Sequence, residues 1–192
     1  MSENETRQAI IMAAIQLLGE KGFANVSMND IVNVSGVSKG GVYWHFKSKE
    51  EIFLAIFDFF FDVQLEVVNK TLEGEGKAAD KLKRIFYLAT QEAEVNLPPP
   101  LEFYALAARN EALKGRMADY FEAYRQRIIE LLQQGIDEGE FEINDPGMVA
   151  INIISLMEGM VLLGLSIPHM WDFKAQVNNA IDIVLRGLNK PA

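Results

Sequence analysis

Residues 27–51 constrain the fold of this chain most, because they read as two short helices joined by a tight turn. The hydroxyl of Ser27 can accept a hydrogen bond from the free amides of the first helix, and Gly36 provides the turn. Ser38 then caps a second helix that is short enough to lie in the major groove of DNA. The apolar residues expected to face inward are Met28, Ile31, Val34, Val37 and Val42. This arrangement is typical of a helix-turn-helix that reads DNA.

The second helix is expected to turn a cation, two glycines and two aromatic residues outward, namely Lys39, Gly40, Gly41, Tyr43 and Trp44. A glycine inside a helix costs about 1 kcal/mol relative to alanine, so a pair of them in so short a helix needs a reason. One reason is that the missing side chains let the helix approach the DNA backbone closely. The alternative is a loosely formed turn, and the surrounding cation and aromatics favour the first interpretation.

Residues 35–50, together with Gly22, Phe23 and Ser27, closely resemble the DNA-binding signature of the TetR family of bacterial transcription regulators. The resemblance covers roughly the first quarter of the chain. The family's phosphate-holding positions correspond here to Ser27, Tyr43, His45 and Lys49. Its recognition-helix positions correspond to Ser38, Lys39, Gly41 and Trp44. Lys47 completes the predicted DNA-binding set.

The charge distribution agrees with this interpretation, although the total charge does not. With 18 basic and 27 acidic residues, the chain carries a formal charge of −9, which would repel a polyanion. Residues 1–50 contain as many basic as acidic residues, and no carboxylate lies between Ile31 and Lys49. The predicted DNA-binding face is therefore locally positive, while the rest of the chain is acidic. Without the motif, the same pattern would read as ordinary surface charge.

The remaining sequence predicts helices and no strand, so the expected fold is all-α with nine helices in a two-domain TetR-like architecture. A three-helix head, residues 1–47, binds DNA, and a helical body, residues 48–192, binds a ligand and dimerises. Ser48 and Glu51 form a capping box that opens a long fourth helix reaching to about Leu72. The other predicted helices are residues 6–20, 78–95, 101–108, 111–138, 146–165 and a last one capped by Asp172.

The eighth predicted helix is apolar nearly all round, which is more than one face packed on its own domain requires. A helix-turn-helix also gains specificity by reading two half-sites, so a symmetric partner is expected. The TetR resemblance implies a four-helix dimer interface. The residues predicted to form it are Ile153, Met160, Val161, Val177, Ile181, Val184 and Leu188. A deeply buried monomer core is the alternative.

The body is rich in aromatic residues and methionine at helical spacing, which usually form core. Methionine also repacks around irregular shapes, and tyrosine adds a hydroxyl to an apolar ring, so such residues also suit ligand pockets. In TetR relatives the same helices enclose an effector. The predicted lining is Phe57, Phe61, Tyr87, Phe103, Met117, Tyr120, Tyr124 and Met157. The effector is expected to be apolar or amphipathic, and Glu102 or Glu158 leaves its charge open.

Catalysis, metal binding and a cofactor are not expected from the residues present. The chain has no cysteine, and its only histidines are His45 in the head and His169 in a loop near Trp171. The polar, acidic start differs from a signal peptide, which predicts a cytoplasmic protein. The apolar runs 52–61 and 150–167 are respectively too short and interrupted by polar residues, so no membrane association is expected.

The function predicted from these features is ligand-responsive regulation of transcription. A dimer would repress by binding a palindromic operator, and a hydrophobic effector beside Phe57 or Phe61 would tilt the fourth helix and release the DNA. Repression is the commonest behaviour in the family, while activation stays open. The alternative is a TetR-like protein without a ligand that binds the nucleoid or tethers another protein.

Overall fold

The computed structural model describes residues 2–91, 100–167, 170 and 172–188. Across these ranges the regular elements are α1 (Glu3–Lys21), α2 (Met28–Ser35), α3 (Lys39–His45), α4 (Lys49–Glu73), α5 (Ala78–Gln91), α6 (Pro100–Ala107), α7 (Glu111–Asp137), α8 (Pro146–Ser166) and α9 (Phe173–Leu188), with a short 3-10 turn at Phe23–Asn25. The all-α, nine-helix prediction is confirmed for the described part of the chain. The expectations for residues 92–97, His169 and Trp171 lie outside the described residues.

The first helix begins earlier than its apolar pattern predicted, because a capping box lies ahead of that pattern. The Ser2 hydroxyl accepts from the amide of Glu5 at 3.3 Å, and the Ser2 amide donates to the Glu5 carboxylate at 2.7 Å. These bonds satisfy amides that the first turn leaves free, so α1 starts at Glu3 instead of Thr6.

By its internal contacts the chain divides into two compact units. The first unit comprises Met1–Asp62 and Asn96–Arg116, and the second comprises Val63–Val95 and Met117–Ala192. The helix α4 is continuous through the change of unit after Asp62. The predicted division after residue 47 separates a DNA-binding part from a ligand-binding part, and it stays a prediction. The division by internal contacts differs, because it places α6 and the first part of α4 in the same unit as the head helices.

In the first unit, α1, α2 and α3 pack around a buried core, within which Ile10, Ile31 and Val42 are at most 1% exposed. The expected burial of Val34 is wrong, since 42% of its surface is exposed. At 3.6 residues per turn, the line through Ile31 runs closer to Ser35 than to Val34. Met28 and Val37 are half-buried instead of fully enclosed.

In the second unit, α5, α8 and α9 pack on one another, and the connection between α4 and α5 is tied to the end of α7. The buried Lys81 donates from Nζ to the carbonyl of Leu72 at 2.9 Å and to Gln134 Oε1 at 3.0 Å. The Glu140 carboxylate accepts from the first amides of α5, Ala78 and Ala79, at 3.2 Å each. A cation therefore meets the carboxyl end of α4 and an anion the amino end of α5, which the helix dipoles favour.

Candidate nucleic-acid interface and effector region

The short helix α3 is held at both ends by side chains. At its start, the Ser38 hydroxyl accepts from the amide of Gly41 at 3.1 Å. At its end, Lys47 Nζ donates to the carbonyls of Tyr43 at 2.8 Å and Trp44 at 3.3 Å. These bonds satisfy backbone groups that a seven-residue helix cannot pair internally. Ser38 and Lys47, both in the predicted DNA-binding set, thus shape the helix itself.

The outward side of α3 carries two rows of residues spaced four apart, which share a face of a helix. One row is Lys39 and Tyr43, and the other is Gly40 and Trp44. Trp44 is 61% exposed and Tyr43 37% exposed, while Lys39 and Gly40 are also exposed. The structure thus leaves a large aromatic residue exposed beside a cation, and the DNA-binding role of this face stays a prediction.

The two glycines of α3 have different reasons for being glycine. A Cβ on Gly40 would meet nothing within 4 Å, so this position is open. A Cβ on Gly41 would lie 2.8 Å from Val37 Cγ1 and 3.3 Å from the Ser38 hydroxyl. The expectation that Gly41 faces outward is therefore wrong, because it packs against the turn before α3. Gly40 alone keeps the geometry expected for close approach to DNA.

The Ser27 hydroxyl is already used inside the protein. It donates to Asp30 Oδ2 at 2.6 Å and accepts from the Asp30 amide at 3.2 Å, and the Ser27 amide donates to Asp30 Oδ2 at 2.9 Å, which completes a capping box on α2. The hydrogen bonds from Ser27, together with Lys21 at 3.5 Å, lower the pKa of the Asp30 carboxyl. A carboxylate therefore stands next to a hydroxyl expected to hold a DNA phosphate, and that role of Ser27 stays a prediction.

His45 and Lys49 are both partly buried in the head. The His45 ring meets the Trp44 ring edge-on at 4.6 Å. Lys49 Nζ donates to the carbonyl of Phe23 at 2.8 Å and lies 4.3 Å from the centre of the Phe23 ring. The predicted phosphate roles of both residues remain predictions, and Lys49 has two partners inside its own chain. The sequence did not indicate Phe23 as the partner of Lys49.

Three of the predicted effector-lining residues form an aromatic cluster in the first unit. The rings of Phe57 and Phe61 are 4.0 Å apart, and those of Phe57 and Phe103 are 5.4 Å apart. Phe57 and Phe103 are 2% and 5% exposed. Glu102, considered as a partner for a cationic effector, instead accepts from the Phe23 amide at 3.1 and 3.3 Å.

The other five predicted lining residues belong to the second unit. Met117, Tyr120, Tyr124 and Met157 are all buried. The Tyr120 hydroxyl donates to Gln64 Oε1 at 2.6 Å, which adds a polar group that the sequence did not indicate. Tyr87 does not share this burial, because it is 39% exposed. It lines an open groove of about 400 Å³ between α5 and α9, and its predicted role in binding an effector stays a prediction.

Most of the residues predicted to form the dimer interface are buried in their own protomer. Ile153, Met160, Val177, Ile181 and Leu188 are at most 6% exposed, while Val161 and Val184 are half-buried. The first five are needed for packing within the unit, so they cannot supply most of an interface. The helices α8 and α9 instead expose a different apolar set, namely Met148, Ile151, Leu156, Leu163 and Ile183, and Ile167 directly after α8 is also exposed.

The helix α8 is long and apolar enough to span a membrane, and it is the one such helix among the described residues. Only 28% of its most apolar window is buried in the protomer. Gly159, on the same helix, would meet nothing within 4 Å if it carried a Cβ, so a second helix has room to approach there. Gly164 has no such room, since its Cβ would lie 2.7 Å from the Phe173 ring.

Within the ranges that the structure describes, no three His, Cys, Asp or Glu residues are placed to hold a metal ion.

Two family models match the chain. The model for bacterial regulatory proteins of the TetR family matches residues 10–56. The model for the C-terminal part of BetI-type transcriptional repressors matches residues 86–188.

Individual proteins give the same picture. An uncharacterized HTH-type transcriptional regulator of Bacillus subtilis, YfiR, is 31% identical over 162 residues, covering 82% of this chain and 79% of the relative. The nucleoid occlusion factor SlmA of Yersinia pseudotuberculosis is 26% identical over 164 residues, covering 83% of each chain. A solved structure from Saccharomonospora viridis, described as a transcriptional regulator in complex with choline, has a TM-score of 0.85 at 19% identity and covers 98% of this chain and 100% of that one.

Proposed function

The chain belongs to the TetR family of bacterial transcriptional regulators, and on this premise we propose that it is a ligand-responsive repressor. In this proposal a homodimer binds a palindromic operator in the cytoplasm, and a small apolar or amphipathic effector releases it. Membership of this family indicates a DNA-binding regulator, not an enzyme.

The observation that carries the proposal is the exposed face of α3. Lys39 offers a cation to phosphate or to a guanine edge, and Trp44 and Tyr43 offer large rings with polar atoms. Gly40 lets the helix backbone come close between them. Trp44 and Tyr43 are exposed next to Lys39, and this grouping of aromatic rings with a cation supports the proposal more than a single exposed ring would.

The second part of the proposal is a dimer formed through α8 and α9. Among the described residues, these helices leave five large apolar side chains exposed, and the open side of Gly159 permits close helix packing. A second copy of the chain would cover this surface and present two heads to two half-sites. The interface therefore uses the exposed set around Leu163 and Ile183, in place of the buried residues that the sequence indicated.

The third part is the effector. The buried Tyr120, with its hydroxyl bonded to Gln64, provides an apolar wall with one polar group, which suits an amphipathic molecule. A fold neighbour was solved in complex with choline, a small cation, which supports including cationic compounds among the candidates. A ligand panel should therefore include apolar amphiphiles with cationic, neutral and anionic head groups.

DNA binding is tested by selecting bound fragments from the native genome and measuring their affinity against salt. Trp44→Ala should weaken binding and relax sequence preference, and Lys39→Ala should weaken it more at low salt. Lys83→Ala makes the same charge change on α5 and Met12→Ala trims another exposed apolar residue on α1, so both serve as controls. Equal binding by Trp44→Ala and wild type would show that α3 does not face DNA.

The effector is tested with the dimer in a thermal-shift screen of that panel. A compound that binds the folded state raises Tm, and a true effector must also weaken binding to the selected operator. Compounds that stabilise the protein without releasing DNA would argue against release by an effector, but not against DNA binding or dimerisation.

A second candidate function has a specific observation in its favour, because the SlmA relative is named a nucleoid occlusion factor. In that case the protein would bind many dispersed genomic sites, and no compound in the panel would release it. Genomic selection and the ligand screen together separate the two functions.

A further inference from the structure

Both backbone polar groups of Phe23 are held by charged side chains from other helices. The Phe23 amide donates to the two carboxylate oxygens of Glu102 on α6, at 3.1 and 3.3 Å. The Phe23 carbonyl accepts from Nζ of Lys49, the first residue of α4, at 2.8 Å. All these residues belong to the first unit. A carboxylate and an ammonium group thus both hydrogen-bond to the backbone of Phe23, which lies between α1 and α2.

The backbone at this corner is shaped for the approach of the carboxylate. Gly22 has φ 70° and ψ 159°, a conformation that is open essentially only to glycine. A Cβ on Gly22 would lie 3.0 Å from Glu102 Oε1, so any side chain would crowd the carboxylate. Behind the corner, the Phe23 ring packs on Phe53, and Phe53 packs on Phe103 of α6, with both pairs of ring centres 4.7 Å apart.

Lys49 is directed towards the interior of the head. Its side chain is half-buried and borders a void of about 10 Å³ together with Leu18, Ile31 and Ile52, among other core residues. Such a void holds at most one water. The ammonium group also lies 4.3 Å from the centre of the Phe23 ring, which adds a cation–π contact to the hydrogen bond. To hold a DNA phosphate, Lys49 would have to give up both contacts.

We propose that Lys49 and Glu102 clamp Phe23 and thereby set the orientation of the DNA-reading head relative to α4 and α6 of the same unit. Lys49 then acts as a positioning residue and not as a phosphate ligand. The inference rests on the proposed function, because it concerns how the head meets DNA. It also makes Glu102 on α6 a determinant of DNA affinity, although Glu102 carries the same sign of charge as DNA.

The first test is the salt dependence of binding to a duplex recovered by genomic selection. Loss of a phosphate ligand reduces the slope of log K against log salt by about 0.9. Loss of a positioning residue lowers affinity by a similar factor at every salt concentration, because fewer heads are in the competent orientation. We expect Lys49→Met to weaken binding by about threefold to tenfold with an unchanged slope. A slope reduced by about 0.9 would overturn the proposal.

The second test uses Glu102→Ala, whose predicted effect is opposite to that of simple electrostatics. Removing a negative charge should strengthen binding to a polyanion, whereas loss of the clamp should weaken it about threefold to tenfold. Glu75→Ala makes the same charge change at an exposed position and should not weaken binding. Glu102→Gln keeps a carbonyl oxygen that can accept from the Phe23 amide, so it should bind DNA better than Glu102→Ala.

Hydrogen exchange at the Phe23 amide tests the clamp without DNA. Glu102→Ala should speed exchange at this amide while amides in α2 and α3 stay protected, which also shows that the head remains folded. If wild-type protein binds no duplex, the proposed function fails and exchange still decides whether the clamp exists. If wild type binds and Glu102→Ala binds equally or more tightly with unchanged exchange, the clamp is refuted.

Discussion

Alanine substitutions at the adjacent glycines of α3 separate the needs of folding from those of DNA binding. At Gly40 the new methyl group would meet nothing within 4 Å, so Gly40→Ala should gain the helix preference of alanine. That gain is about 1 kcal/mol in the free energy of unfolding, or roughly a fivefold change in the equilibrium constant. In the absence of DNA, Gly40→Ala should therefore stabilise the folded protein.

Gly41→Ala gains the same helix preference but meets a steric cost. Its Cβ would lie 2.8 Å from Val37 Cγ1, closer than such contacts allow. Val37 is β-branched and has little rotamer freedom, so the backbone of the turn must move. Overpacking of this kind costs about 1–3 kcal/mol, which cancels or exceeds the gain. Gly41→Ala should therefore be neutral or destabilised by up to about 2 kcal/mol.

DNA binding should rank the two variants differently from stability. If α3 enters the groove with Gly40 against the DNA backbone, Gly40→Ala should bind the selected operator more weakly despite being more stable. The assays are urea unfolding followed by circular dichroism and operator affinity by fluorescence anisotropy, at one protein concentration. A Gly40→Ala variant that is both more stable and equally tight on DNA would refute the close-approach argument. One that is less stable would refute the helix-propensity argument.

Three further predictions test packing, assembly and charge. Gly135→Ala should lower the free energy of unfolding by about 1–3 kcal/mol, since its Cβ would overlap the buried Phe141 ring, as urea unfolding would show. Leu163→Asp should convert the dimer to monomer in sedimentation, because Leu163 is 45% exposed on α8. The Arg125 guanidinium, as the main cause, lowers the pKa of the Glu122 carboxyl from 4.5 to about 2. The stabilising contribution of the ionised Glu122 carboxylate is therefore present above pH 4.5 and lost as the pH falls towards 2. Between these pH values, Glu122→Gln should lose less free energy of unfolding than the wild type in acid titrations.

The packing and assembly predictions each have a matched control variant. Gly115→Ala, in the same helix α7, would meet nothing within 4 Å and should raise stability by about 0.5–1 kcal/mol. Met12→Asp places the same charge on another exposed apolar residue, in α1, and should leave the dimer intact. Equal effects of Gly135→Ala and Gly115→Ala would contradict the packing argument. A monomer produced by Met12→Asp would mean that Leu163 is not specific to the interface, and an unchanged acid profile in Glu122→Gln would assign the acid loss to other groups.

Much of the secondary structure followed from local signals. Ser27, Ser38 and Asp145 cap α2, α3 and α8 as expected, because each places an oxygen where free amides point. Gly22 ends α1, since it adopts a positive φ that other residues resist. The prediction for Val34 failed because a two-turn helix has too few residues for its apolar pattern to define the buried side.

The exposed residues of α3 were easier to predict from the sequence than those of α8. Exposed positions on α3 follow from helical periodicity and the turn, so Lys39 and Trp44 could be placed in advance. Apolar composition, however, cannot distinguish the side of α8 that packs on its own unit from the side that stays open. Ile153 and Leu163 are equally apolar, yet only Leu163 is exposed.

Helix caps, apolar periodicity and the helix-turn-helix signature were sufficient to define the fold class and the family, because they depend on residues close together in the chain. The partner of a charged side chain depends instead on chain segments that are distant in sequence. Lys49 and Glu102 both looked available to an outside ligand, and only packing of α4 and α6 against the corner after α1 directed both to Phe23. Only the tertiary structure therefore revealed that these two charged side chains have partners within the protein.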